Sequence, residues 1–395
     1  MAAFSRLPRL ALPFCLLFAG ALIAGCETPS GAGLELVGED GGVPQRQDFA
    51  PSTIAIVDTI PDITGGLARQ SQSRILVGRA DDPVFGMIEA TGYMGFARPD
   101  PSQIPAEFFN EDITGAVLRL RVNYRYGLED APVQVDLFEV AEPWIAVGAT
   151  SDQSFPPGQF VTSFTIAPGD TLIDVQFPAA YVASRDEIFR SLRFNADFHG
   201  YMLRPSGAAG AVVGFHALFS SLRLATPSDT LAYITRELFT NINRPAAGTL
   251  PDGRLALVDG APNQIAFTLD PPDVGRVPLA NVTLRLGVDA AYEPTAGFIR
   301  GMPQQLELAA IDETDNVRRV VAVASFDSQR GQYSFASPTF TELVQNLIFG
   351  ETRYRNFFIQ IPAMPASVDV LVLDPPDADG APPLRLSLVI IPQRS

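Results

Sequence analysis

Val117-Leu118-Arg119-Leu120-Arg121-Val122 alternates apolar and charged side chains. In an extended chain successive side chains leave on opposite faces, so Leu118, Leu120 and Val122 share one face while Arg119 and Arg121 share the other. A helix, turning about 100° per residue, would scatter the two sets. The stretch therefore reads as a half-buried strand. Val133-Gln134-Val135-Asp136-Leu137 repeats the pattern after Gly127-Leu128-Glu129-Asp130, a loop that fits a hairpin connection.

Outward from this strand the same grammar recurs. Thr53-Ile54-Ala55-Ile56-Val57 and Ser73-Arg74-Ile75-Leu76-Val77-Gly78 are β-rich, and Asp81-Asp82-Pro83-Val84-Phe85-Gly86 has the Pro and Gly of a turn. In the second half, Val282 to Val288 answers the Leu118 strand and Gln305-Leu306-Glu307-Leu308 answers the Val133 strand. Phe340, Leu343, Val344, Leu347 and Ile348 form a helical stripe, with Thr339 and Glu342 spaced as a capping box and Gly350 as a stop. The stretch from Tyr181 to Leu192 is its counterpart. Ser221-Leu222-Arg223-Leu224 matches Pro383-Leu384-Arg385-Leu386, and corresponding points lie roughly 160 residues apart, too long a period for a solenoid.

Short strands with few helices indicate an all-β chain of two tandem antiparallel β-sandwich domains, each with one short helix. The expected boundaries are 52–240 and 254–395, with a linker over 241–253 that carries Arg244-Pro245-Ala246-Ala247-Gly248.

The N-terminus sets a location. Arg6 and Arg9 precede an apolar run from Leu10 to Ile23, too short to span a bilayer comfortably. It closes on Leu22-Ile23-Ala24-Gly25-Cys26, which resembles a bacterial lipobox. That resemblance implies a signal peptide over 1–25, cleavage before Cys26, and Cys26 as the acylated first residue of the mature chain. Several acyl chains give stable attachment, since each buried methylene contributes about 0.8 kcal/mol. Glu27, rather than Asp, follows the cysteine, which by analogy favours the outer membrane, with the protein facing the periplasm or the cell surface. Residues 26–51, rich in Gly, Pro and acids, read as a flexible tether.

Cys15 and Cys26 are the two cysteines, so once the signal is removed and Cys26 is acylated no disulfide is available. Stability then rests on the core, to which 47% hydrophobic residues contribute. The formal net charge is −16 and all 28 basic side chains are arginine, which disfavours nucleic-acid partners.

The lipobox, Gly78, Asp82, Pro83, Phe85 and Gly86, and the Leu118-type strands together resemble the domain of unknown function 4270 family of Bacteroidetes lipoproteins. The helix from Thr339 and the closing strand from Leu384 to Ile391 fit the same pattern. The resemblance implies a cell-envelope location and jelly-roll-like sandwiches. It lends no catalytic residues.

The residues themselves offer little chemistry. His199 and His216, the only histidines, lie in apolar strand-like stretches and read as structural. The closest acidic groupings are Asp81 with Asp82, Asp136 with Glu139, and Asp312 with Glu313, which read as solvated surface. Asp374, Asp377, Asp379 and Gly380 resemble the core of a calcium loop, but Pro375-Pro376 interrupts them and no Glu follows at the expected distance. Trp144, the single tryptophan, is the one candidate aromatic platform for a ligand. No catalytic residue and no cofactor is assigned, with calcium at Asp374, Asp377 and Asp379 as the sole metal candidate. The expected function is a non-enzymatic, lipid-anchored adhesion, assembly or binding component of the outer membrane, with an envelope protein or glycan as partner. The alternatives are a glycan-binding or glycan-hydrolysing surface lipoprotein and a purely structural spacer.

Overall fold

The alternation around Leu118 becomes an interior strand of one sheet. Ala116, Leu118 and Leu120 are buried, and Arg119 leaves the opposite face to meet Asp174 directly across the ladder at 2.7 and 2.6 Å. The computed structural model describes residues 44–51, 53–57, 73–149, 152–244, 250, 254–259, 264–270, 273–290, 292, 296–312, 314, 317–351, 353–362, 366–376 and 383–391. The expected signal peptide, the lipobox with Leu22, Ile23, Ala24, Gly25 and Cys26, and the candidate ligands Asp377 and Asp379 lie outside the described residues.

The first half runs β1 (Gln45–Phe49), β2 (Thr53–Val57), β3 (Arg74–Asp82), β4 (Gly86–Ala97), β5 (Gly115–Leu128), β6 (Val133–Val140), β7 (Pro157–Ile166) and β8 (Leu172–Gln176). Helix α1 (Ala179–Arg190) and the single turn α2 (Phe194–Asp197) lead into β9 (Tyr201–Pro205), β10 (Ala211–His216), β11 (Ser221–Ala225) and β12 (Thr230–Asn243). The second half continues with β13 (Ala256–Val258), β14 (Gln264–Thr268), β15 (Leu279–Gly287), β16 (Phe298–Ile299), β17 (Gln305–Ile311), β18 (Arg318–Asp327) and β19 (Gln332–Phe335). It closes with α3 (Pro338–Ile348), β20 (Asn356–Gln360), β21 (Val370–Val372) and β22 (Leu384–Ile390).

The protein is mostly antiparallel β-sheet. One sheet follows the order β12-β11-β5-β10-β3-β4-β9-β6-β7, and a further β12–β4 pairing curls it back on itself as a half-barrel. Its inner face holds a core that includes Ile75, Val77, Leu118, Leu120, Phe189 and Tyr201. The other large sheet follows β1-β22-β15-β19-β18-β17-β20-β14-β2 around a second core with Leu284, Leu308, Phe335, Phe340 and Phe357.

Partner strands recur in the two halves. β5 pairs with β8 and β11, β6 with β7 and β9, β4 with β9, and β3 with β10. In the same chain order, β15 pairs with β19 and β22, β17 with β18 and β20, β14 with β20, and β13 with β21.

Several local expectations are corrected. β5 and β6 do not form a hairpin: β5 is flanked by β10 and by β11 and β8, and β6 by β9 and β7, so neither has an edge left for the other. The stretch 26–51 expected as a tether contains β1, a mostly exposed edge strand held by β22 through backbone bonds that hydropathy does not register. β2, expected in the first domain, pairs with β14 of the second half. The expected linker begins inside β12, which extends to Asn243. Helix α1 starts at Ala179, two residues before the expected Tyr181. Helix α3 is capped by Ser337 rather than Thr339: the Ser337 hydroxyl accepts from the Phe340 N–H at 2.9 Å. Pro338 then occupies the first helical turn, where no donor is needed. At the other end Gly350, at φ 96°, lets the N–H groups of Gly350 and Glu351 reach back to Leu347 and Asn346.

Candidate functional site at the seam between the halves

The outer faces of β3, β4 and β10 are also buried, which explains why Ile75, Leu76 and Val77 follow one another without a polar residue between them. Leu76, Ala80, Ile88, Ala90 and Val212 leave the first half and meet Val258, Phe298, Val368, Val370 and Val372 of the second. This third core fuses the halves, and polar groups are threaded through it.

Asp82 ends β3 in its centre. Its carboxylate accepts the N–H groups of Val84 and Phe85 at 2.8 and 2.9 Å, the Tyr126 hydroxyl, and Arg300 Nε at 2.8 Å from the other half. Burial raises its pKa, but the hydrogen bonds from Arg300, Tyr126 and the two backbone N–H groups outweigh that and hold the carboxyl below its usual range. The Arg300 guanidinium lies between the rings of Phe85 and Phe298, 5.3 Å from each centroid.

Beside this pair the seam opens into a cavity of about 580 Å³, whose lining includes Arg74, Asn123, Tyr124, Gln304, Phe326 and Asp369. That volume lies within the range of small-ligand sites. Tyr124, on β5, donates its hydroxyl hydrogen to Asp369 Oδ1 at 2.8 Å and accepts the Val368 N–H at 3.1 Å. Arg74 stacks over the Tyr124 ring at 4.8 Å, donates to Asn123 Oδ1 at 3.0 Å, and crosses the seam to the carbonyl of Ala366 at 3.1 Å. Gly301 forms part of the wall against Asp369, since a Cβ there would stand 1.9 Å from Asp369 Oδ1. Behind the wall Asp259 accepts the Ser367 N–H and hydroxyl at 3.1 and 2.7 Å, and Arg244 bridges the carbonyls of Asp259 and Val368.

Burial is the main reason that the Asp369 pKa rises to about 6, and the charge of Asp259 adds to it. Hydrogen bonds from Tyr124 and Ser367 and the charge of Arg74 act in the opposite direction. Tyr124, desolvated and next to this carboxyl, is pushed well above the ordinary phenol. A carboxyl that changes charge near neutrality, set in a cleft, is a candidate functional group. Among the described lining residues it is the only carboxyl, and neither histidine joins it.

The sequence candidates fall elsewhere. Trp144 donates its indole N–H to the His199 carbonyl at 2.7 Å and packs in an aromatic cluster with Tyr93, Phe155 and Phe239. His216 Nδ1 accepts the Leu218 N–H at 3.2 Å and caps a short turn. Asp81 is exposed while its neighbour Asp82 is buried, because adjacent strand residues face opposite ways. Asp136 accepts from Ser163. Glu139 is held by Arg185 and Tyr181. Asp312 pairs with Arg353 and accepts the Thr314 N–H at 2.9 Å, whereas Glu313 lies outside the described residues. Asp374 sits against Gly287, its pKa raised by burial and by the charge of Asp289.

Sequence reading missed Tyr124, Arg300 and Asp369. One signal was present: Val368-Asp369-Val370-Leu371-Val372 places a lone carboxylate inside an apolar run, where it needs partners. No protein-family model matches this chain, and no curated protein is similar to it.

Proposed function

We propose that this chain is a non-enzymatic, lipid-anchored outer-membrane protein of the cell envelope that binds a short glycan in the seam cavity. The observation that carries this reading is the Tyr124–Asp369 contact, which places a buried carboxyl from one half against a hydroxyl from the other at the cavity wall. Asn123, Gln304, Gln305 and Ser325 add amide and hydroxyl groups to the lining, and Phe326, Pro303 and Pro362 add apolar surface. Hydroxyl-bearing rings need that mixture of directional polar contacts and flat apolar ones. The recurring strand pairings favour a duplicated jelly-roll-like sandwich, with the cavity where the copies meet. The lipobox ending in Cys26 is the basis for the membrane anchor and for the envelope location. Likeness to the domain of unknown function 4270 lipoproteins is consistent with both and assigns no activity.

Calorimetric titration tests this reading, using the lipid-free chain against mono- to trisaccharides derived from envelope polysaccharides. Saturable binding is expected, abolished by Ser325→Trp, which fills the cavity from an exposed position. Turnover of any saccharide would favour the hydrolase alternative. Absence of binding across the panel would leave the spacer reading in its place.

A further inference from the structure

The first half owns its last strand. β12 follows β11 through the turn at 226–229, pairs with β11 over 230–234, and pairs with β4 over 234–243, a ladder with a bulge between Thr235 and Glu237. The second half needs the same closure. β22 corresponds to β11 and β14 to β4, yet the strands that pair with them are β1 and β2, from the opposite end of the chain. Gln45–Phe49 lies antiparallel to Leu386–Ile390, and Thr53–Val57 lies antiparallel to Gln264–Thr268. The Ser387 hydroxyl hydrogen-bonds Asp48, 339 residues away. β1 and β2 are the two ends of the nine-strand order, so both edges of that sheet are covered by one donated segment.

We infer that β1 and β2 are donor strands that a second copy of this chain can supply, so that the protein assembles by strand exchange at the edges of β22 and β14. The argument is energetic. Exchange between copies replaces every β1–β22 and β2–β14 hydrogen bond by an identical one, so it costs only the entropy of association. β1 is held mainly by its backbone bonds to β22: its side chains are exposed except at Phe49, which packs on the second core. β12, by contrast, is fixed in place by its short turn. An edge strand without its partner is a ready template for another chain, and the sheet offers two such edges whenever the donor leaves. Reciprocal donation closes a two-fold dimer, favoured as the local concentration of chains rises.

Disulfide trapping tests the exchange in the full chain with Cys15 and Cys26 replaced by Ser, which leaves no other cysteine. Asp48→Cys with Ser387→Cys in one chain should close an intramolecular bond, showing the donor seated. The decisive sample mixes chains carrying Asp48→Cys alone with differently tagged chains carrying Ser387→Cys alone, co-refolded over a range of concentrations. A mixed disulfide is expected, growing with concentration and exceeding the Asp48→Cys homodimer that reports random collision. If the mixed species stays at the collision background while the double variant closes, exchange between copies is refuted. If the double variant itself fails to close, the donor strand is not seated and the inference falls as well. Neither readout involves the cavity or its ligand.

Discussion

Arg300 and Asp82, 218 residues apart, form an ion pair whose side chains are 8% and 0% exposed, and it joins the two halves of the chain. Such a pair is costly to desolvate, and what makes it tolerable is that Tyr126 and the N–H groups of Val84 and Phe85 complete the carboxylate's hydrogen bonds. Removing one partner strands the other. Arg300→Met should therefore cost about 3–5 kcal/mol in denaturant unfolding at pH 7. The Asp82 carboxyl is held below its ordinary value, so its contribution is present above that ordinary value and is lost as the pH falls through the lowered one. The deficit of Arg300→Met should shrink on acidification, because the stranded carboxyl then takes a proton. A deficit that stays constant down to pH 3 would show that the pair is not what Arg300 contributes.

Asp369 works with the opposite sign. Its folded pKa is raised from 3.8 to about 6, so the folded state is favoured while the carboxyl is protonated, and that advantage is lost as the pH rises through about 6. At about 1.4 kcal/mol per tenfold change in proton affinity, the cost at pH 7.5 is at most about 3 kcal/mol. Asp369→Asn keeps an acceptor for Tyr124 and removes the buried charge. It should raise the thermal midpoint at pH 7.5 and leave it nearly unchanged at pH 4. If this carboxyl also holds the ligand, the stabilised variant should bind glycan less well, the trade-off expected where a strained site serves function. An equal change at both pH values would rule out the charge as the cause.

The cores were legible because period is a local property. Leu118, Leu120, Leu284 and Leu286 are fully buried, and so, nearly, is the whole stripe from Phe340 to Ile348. What stayed illegible is which strand lies beside which. Thr53–Val57 reads as a strand wherever it pairs, and nothing in those five residues says that its neighbour is Gln264–Thr268 rather than something nearby in sequence. The seam was hidden for the same reason. Tyr124 and Asp369 each look unremarkable alone, and only the packing of β3 and β10 on β21 brings them together. Trp144 attracted the sequence reading because of its rarity, whereas its indole is engaged with His199 and Phe155.

Membrane attachment is a separate prediction. Among the described residues no helix is long and apolar enough to cross a bilayer, and the proposed anchor rests on Cys26. In the native host, Cys26→Ser should move the protein from the membrane fraction to the soluble one. Retention that survives a high-salt wash would refute acyl anchoring, because a purely electrostatic attachment should be released by salt.

The cap of α3 decides between two serviceable residues. Thr339 and Glu342 have the spacing of a capping box, yet the chain turns into the helix two residues earlier, at Ser337 with φ −161° and ψ 157°. The Ser337 oxygen accepts the Phe340 N–H, and its own hydrogen goes to the Val321 carbonyl on β18, so one hydroxyl both starts the helix and ties it to the sheet beneath. Losing the N-cap acceptor costs about 1 kcal/mol in general. Here the Val321 carbonyl also loses its donor, and a partly buried group left unpaired adds to the loss. Ser337→Ala should therefore destabilise by about 1–2 kcal/mol, while Thr339→Ala, which removes no capping bond, should stay within about 0.5 kcal/mol of the parent. Denaturant midpoints of the two variants, measured side by side, give the answer: a larger loss at Thr339 would put the start of the helix where the sequence spacing placed it.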